Sequence, residues 1–204
     1  MANVLYINSS VRNSGSLSRQ LSAEFIAKWK AANPSDTIVE RDLAANPVPH
    51  LTEQMMGAFF TPADARNAEQ AFTVKTSDTL VAEVQAADVI VIGAPMYNFS
   101  VSSTLKAWID HIARAGVTFI YGENGPVGQL TGKKVYVFTA TGGVYSEGPA
   151  AAYDHLTTYL RAVFGFLGMT DVNFIQAEGV AMGEQAVADT LAKSRKSIDE
   201  LVAA

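Results

Sequence analysis

Residues 8–18, Asn8-Ser9-Ser10-Val11-Arg12-Asn13-Ser14-Gly15-Ser16-Leu17-Ser18, hold five serines in eleven positions. One serine is enough to cap a helix, by accepting a bond from a free amide. Five hydroxyls at a strand-to-helix turn exceed that need. Together with the positive end of the helix they suit a phosphate. The stretch lacks both the Gly-Lys-Ser/Thr of a P-loop and the G-x-G-x-x-G fingerprint, and it carries no lysine and no metal ligand. It therefore fits the terminal phosphate of a mononucleotide better than a triphosphate. A second group, Met96-Tyr97-Asn98-Phe99, sets a thioether, two aromatic rings and an amide where a polar loop is the ordinary expectation. A flat aromatic ligand would use them. A third, Thr139-Ala140-Thr141-Gly142-Gly143, ends in paired glycines, which let backbone amides approach a ligand that a β-carbon would exclude.

Each group follows a short apolar run. Val4-Leu5-Tyr6-Ile7, Val89-Val91 with Ile90 and Ile92, and Lys133-Lys134-Val135-Tyr136-Val137-Phe138-Thr139 read as strands. The run over 89–92 has no polar alternation, the mark of an inner strand of a parallel sheet. Gly93-Ala94-Pro95 ends it, because proline has no amide hydrogen. Strands over 37–40 and 172–177 complete a set of five. Helical spacing appears in Leu17, Leu21, Phe25 and Trp29; over 64–85; in Leu105, Trp108, Ile109 and Ile112; in Leu156, Leu160, Phe164 and Leu167; and in Val187, Leu191, Ile198 and Leu201. This alternation implies one α/β domain over residues 1–204, a parallel sheet with helices on both faces. In such sheets, ligands lie outside the carboxyl ends of the strands where the strand order reverses. Two excursions exceed what the sheet needs: the proline-marked 44–50 and the glycine-rich 117–128. Long ordered loops of this kind are usually functional.

Composition narrows the chemistry. With 15 basic and 20 acidic residues the net charge is −5 and no basic run occurs, so a nucleic-acid partner is not expected. The absence of cysteine excludes disulfides, thiolate catalysis and cysteine-bound metals. His50, His111 and His155 are scattered, no H-E-x-x-H occurs, and no metal site is expected. No apolar run reaches the roughly 18 residues of a membrane helix, and the chain begins directly with strand; a soluble cytoplasmic protein is the expectation. The three loops contain no titratable group beyond Arg12, Tyr97 and Tyr145. A site without an acid, base or nucleophile implies that a cofactor carries the reaction. Phosphate loop, aromatic loop and Gly-Gly turn fit the phosphate, ring face and pyrimidine edge of flavin mononucleotide (FMN).

At these residues the chain resembles the FMN-dependent NADH:azo-compound/quinone oxidoreductases. The resemblance rests on Asn8-Ser9-Ser10 with Ser16-x-Ser18, Ala94-Pro95-Met96-Tyr97-Asn98-Phe99 and Thr139-x-x-Gly142-Gly143. It extends through Arg41-Asp42-Leu43-Ala44-Ala45-Asn46-Pro47, Ala113-Arg114-Ala115-Gly116-Val117-Thr118-Phe119 and Glu123-Asn124-Gly125-Pro126. It implies a flavodoxin-like five-stranded sheet of order 2-1-3-4-5 and a homodimer. Ser10, Ser16, Leu17 and Ser18 would hold the phosphate. Met96, Tyr97, Asn98 and Phe99 would line the flavin ring, and Ala140, Thr141, Gly142 and Gly143 its pyrimidine side. Thr141 stands where some relatives carry arginine. The implied reaction takes two electrons from NADH or NADPH and passes them, in ping-pong fashion, to a quinone or azo compound. Asn98 and Tyr121 are the candidate catalytic residues. Phe60, Tyr121, Tyr145 and Phe164 are the candidate walls of the acceptor pocket, with Tyr121 reaching in from the partner subunit. A flavodoxin-type electron carrier with no NADH oxidase activity is the alternative.

Overall fold

A computed structural model describes residues 1–203. Along the chain run β1 (Asn3–Asn8), α1 (Leu17–Ala32), β2 (Thr37–Asp42), α2 (Glu53–Phe60), α3 (Ala68–Ala86), β3 (Val89–Pro95) and α4 (Ser103–Ile112). There follow β4 (Phe119–Gly122), β5 (Gly125–Gly128), β6 (Lys134–Ala140), α5 (Thr157–Leu167), β7 (Asp171–Ala177) and α6 (Glu184–Ala203). The main sheet is parallel with order β2-β1-β3-β6-β7; β4 and β5 form a separate antiparallel pair. Setting that hairpin aside leaves the expected flavodoxin-like 2-1-3-4-5.

Strand alternation divides the interior in two. Leu5, Ile7, Ile90, Ile92, Val135 and Val137 point into one core with Leu80, Trp108, Leu160 and Phe164 of α3, α4 and α5. Val4, Tyr6, Val89, Val91, Tyr136 and Phe138 point into the other, against Leu21 and Phe25 of α1 and Ile198 of α6. Each fully buried large side chain contributes about 1.5–3 kcal/mol relative to exposure.

The register brings the three expected loops together: Asn8 pairs with Gly93 and Pro95 with Ala140, so β1, β3 and β6 end side by side. Gly93 fixes how closely α1 lies over β3. A β-carbon there would meet Asn8 Oδ1 and Ser22 Oγ at 3.1 Å and the Ser18 carbonyl oxygen at 3.2 Å.

Three expectations change. The helix expected over 64–85 begins at Ala68, because Asn67 and Gln70 close a capping box there. The proline-marked excursion over 44–50 runs on into a further helix, α2, capped by Thr52, which accepts the Met55 amide at 3.2 Å. Phe164 is no pocket wall: it is 1% exposed and packs in the core. Its spacing from Leu160 and Leu167 puts it on the inward face of α5, whereas Phe166 is 36% exposed and packs against Phe119 with tilted rings 4.5 Å apart at their centres. Among the described residues no helix is long and apolar enough to cross a membrane.

Candidate functional site

The serine loop leaves β1 and enters α1. Ser9 serves the fold, its hydroxyl donating to the Gly93 carbonyl at 2.8 Å. Ser16 caps α1, and its Oγ lies 3.2 Å from that of the buried Ser18. Ser10, 1% exposed, meets the Tyr97 hydroxyl at 3.3 Å, tying this loop to the aromatic one. Among the described residues no acceptor faces the amides of Asn13, Ser14, Gly15, Ser16 and Leu17. Hydroxyls and unpaired amides at a helix N-terminus are a donor set for an anion.

Arg19 braces the loop from behind. It donates to both Asp42 carboxylate oxygens, at 2.6 and 2.9 Å, and to the Ser10 carbonyl at 2.8 Å. The Arg19 bonds, helped by the amides of Ala45 and Ala44, hold the Asp42 carboxyl down from 3.8 to about 2. A depressed carboxyl stabilises the fold above its unfolded value, and that stabilisation disappears as pH falls through the folded value. Unfolding free energy measured in urea is therefore expected to drop between pH 4 and 2. Asp42→Asn should flatten that limb while lowering stability near neutrality; an unchanged acid limb would remove the pair from the account.

In the aromatic loop, Tyr97 and Ser100 exchange backbone hydrogen bonds at 2.9 and 3.0 Å around a two-residue turn. Both turn residues are left-handed, Asn98 at φ 47° and Phe99 at φ 70°. Asparagine tolerates this; for phenylalanine it costs on the order of 1–2 kcal/mol. That strain sits at the loop expected to meet the ligand. It leaves Phe99 45% exposed, beside Tyr153 at 5.4 Å and Tyr145 at 6.2 Å between ring centres. Tyr153 closes a short 3-10 turn over Pro149–Tyr153, 54 positions downstream of Phe99, where no local pattern in the sequence marks it.

The Gly-Gly turn is held by its carbonyls. Those of Thr141, Gly142 and Gly143 accept from the amides of Val180, Ala181 and Gly179 at 3.1, 3.0 and 3.0 Å. The Thr141 hydroxyl donates to the Gly143 carbonyl at 2.8 Å. No acceptor faces the Gly142 and Gly143 amides among the described residues. Neither glycine is left-handed, and a β-carbon on Gly142 would meet Ala181 only at an ordinary 3.6 Å. The backbone does not require glycine there; what glycine provides is room. Glu178 holds the continuation, accepting the amides of Tyr145 and Ser146 at 2.7 and 2.9 Å. Glu178 and Val180 follow β7, a strand end that carries no residue type suggestive of a ligand.

Ser10, Arg12, Gly15, Ser16, Leu17, Pro95, Met96, Tyr97, Ala140, Gly142 and Val180 line one groove of about 150 Å³. It contains no acidic side chain. Hydroxyls and amides at one end, thioether and ring between, and unpaired amides at the other end match FMN in charge and polarity. A larger concavity of about 720 Å³ shares Tyr97 and continues over Val11, Asn98, Lys106 and Tyr159, whose phenol burial pushes up to about 12.

Phe60 and Tyr121, 70% and 77% exposed, lie together in another pocket of about 250 Å³ with Met56, Phe59 and Phe119. It shares no residue with the groove. His111 is structural. It is fully buried, its Nε2–H donates to the Pro49 carbonyl at 2.9 Å, and burial lowers its pKa. No cluster of metal-ligating side chains occurs among the described residues.

A family model described as the flavodoxin-like fold matches residues 2–202. The chain belongs to this flavodoxin-like family. Among flavodoxin-like relatives, an FMN-dependent NADH:quinone oxidoreductase of Herminiimonas arsenicoxydans is 61% identical over 204 residues, all of both chains. A second, from Burkholderia lata, is 56% identical over 97% of this chain and 98% of its own. In solved structures the same flavodoxin-like architecture is seen in an azoreductase from Bacillus anthracis, with a TM-score of 0.92 and 31% identity over 99% of each chain. An FMN-dependent NADH-azoreductase from Bacillus anthracis, solved in complex with FMN, has a TM-score of 0.90 and 27% identity, covering 100% of this chain and 98% of its own.

Proposed function

We propose that this chain is an FMN-dependent NADH oxidoreductase that reduces quinones and azo compounds by two electrons, working as a cytoplasmic homodimer. One observation carries the reading: three adjacent strand ends turn unpaired amides and hydroxyls into one groove that, among the described residues, is lined by no carboxylate, imidazole or thiol. The curated relatives' names point the same way. Bound there, FMN supplies the two-electron chemistry between NADH and the acceptor.

The chain's own residues bind and orient. Ser10, Ser16, Leu17 and Ser18 receive the phosphate. Met96, Tyr97, Asn98 and Phe99 hold the ring, their positions set by the strained turn. The Gly142 and Gly143 amides face the far edge, where preorganised donors favour negative charge. Tyr145 borders the acceptor.

The homodimer is supported by what a single chain leaves open. Phe60, Ile120, Tyr121 and Val127 are 43–77% exposed. Contiguous exposed apolar side chains of this size usually mark an interface. Phe60 and Tyr121 do not meet the groove within one chain, so a second copy is what would bring them to it, narrowing the opening and excluding water.

The test is the purified yellow protein with NADH and a quinone. Rapid NADH consumption is expected, with parallel initial-rate lines at several fixed quinone concentrations, as when both substrates use one pocket in turn. Intersecting lines would sink the shared pocket. A flavodoxin-type carrier would consume almost no NADH.

A further inference from the structure

The groove has one charged side chain in its lining, Arg12. The other arginine of this region, Arg19, is committed to Asp42 and the Ser10 carbonyl. Arg12 has no carboxylate within salt-bridge distance among the described residues. Nor is it turned away from the loop. Gly15 is left-handed at φ 66°, and a β-carbon on it would come within 3.2 Å of an Arg12 guanidinium nitrogen. The guanidinium thus lies over the bare α-carbon of Gly15, at the turn whose amides have no acceptor. The Arg12 amide, donating to Ser10 Oγ at 3.3 Å, anchors its backbone to the same loop.

An unpaired guanidinium beside unpaired amides and hydroxyls, in a chain of net charge −5, is a local reversal of sign. The hydroxyls and amides alone recognise any anion or hydroxylated chain end. Arg12 adds a fixed positive charge and a planar fork of donors that matches a phosphate. We infer that Arg12 closes over the phosphate of the bound flavin and is the residue that selects FMN over the unphosphorylated riboflavin. This rests on the flavin reading above. It goes further in dividing the work: serines and amides shape the cradle, and Arg12 supplies the charge discrimination.

The experiment is a fluorescence titration of the flavin-free full-length protein with FMN and, separately, with riboflavin. Arg12→Ala is expected to raise the FMN Kd about tenfold or more, the scale of one charge-assisted contact, and to leave the riboflavin Kd within about twofold. Arg12→Lys should recover part of the difference, since it restores the charge without the fork. The salt dependence of FMN binding should weaken in Arg12→Ala. Equal loss for both flavins would show a structural role and overturn the inference. So would an unchanged FMN Kd accompanied by weaker NADH binding, which would assign the guanidinium to the dinucleotide's phosphates. A wild-type protein that binds neither flavin would instead remove the flavin reading itself.

Discussion

Replacing Ser16 and Ser18 together with alanine lowers FMN affinity by at least about tenfold while the far-ultraviolet circular dichroism stays native. Each hydroxyl bond to a charged group is worth roughly 1.5–3 kcal/mol, and about 1.4 kcal/mol is tenfold in affinity, so even the lower figure for one serine reaches that threshold. The fold survives because the serines contribute little to it. Ser16 caps α1 through a bond of 3.5 Å to the Arg19 amide, and losing such a cap costs about 0.5–2 kcal/mol. The bonded partner of Ser18 Oγ is Ser16 Oγ itself, so the double replacement removes both members and leaves no orphan from that pair. Equilibrium dialysis against FMN reads the outcome. An unchanged Kd would falsify the phosphate role and leave both serines as structural.

Gly128→Ala should be the most damaging single methyl in the chain for assembly. A β-carbon at Gly128 would collide with the Leu167 carbonyl group and the Gly168 amide nitrogen, all backbone atoms at the end of α5. Backbone cannot rotate aside as a side chain can, so the β4–β5 hairpin must lift. At that junction the hairpin is also tied by the Leu130 amide, which donates to the Leu167 carbonyl at 2.9 Å, while its base is held by the Gln129 amide on the Thr118 carbonyl at 2.9 Å and the Gly116 amide on the Phe119 carbonyl at 2.8 Å. Lifting it separates Phe119 from Phe166 and displaces Tyr121. The expected loss is about 1–3 kcal/mol of stability, seen as a lower melting temperature. The expected consequence for assembly is a shift toward a 21.7 kDa species in analytical ultracentrifugation at micromolar concentration. Gly57→Ala, in α2 with no atom within 4 Å of the new carbon, is the control and should be neutral or stabilising by about 0.5–1 kcal/mol. If both variants behave alike, close packing at the hairpin is not what holds Tyr121.

Much of this was legible in residue order because it depends on local rules. The unbroken apolar run over 89–92 carries the mark of an inner strand, and the serines after Ile7 fall at the start of the next helical pattern. Asn67 and Gln70 also spelled out a helix start, although the longer apolar pattern around them concealed it. Phe164 and Phe166 show where residue types stop being informative. Both are phenylalanines on one helix; spacing with Leu160 and Leu167 turns Phe164 inward, but only the placement of the β4–β5 hairpin beside α5 sets Phe166 against Phe119.

The sequence by itself determined the strand and helix alternation, the grouping of serines, aromatics and paired glycines after three strands, and the absence of any thiol. These follow from side-chain periodicity and from which groups exist. The tertiary structure alone decided what faces what: that Arg19 is spent on Asp42 while Arg12 meets no carboxylate among the described residues, that Glu178 and Val180 hold the Gly-Gly turn, and that Phe60 and Tyr121 lie apart from the groove. Arg19 and Asp42 are 23 positions apart, and Tyr145 and Glu178 are 33. Contacts at such separations are set by the register of parallel strands and the packing of helices across them, and no local spacing encodes either.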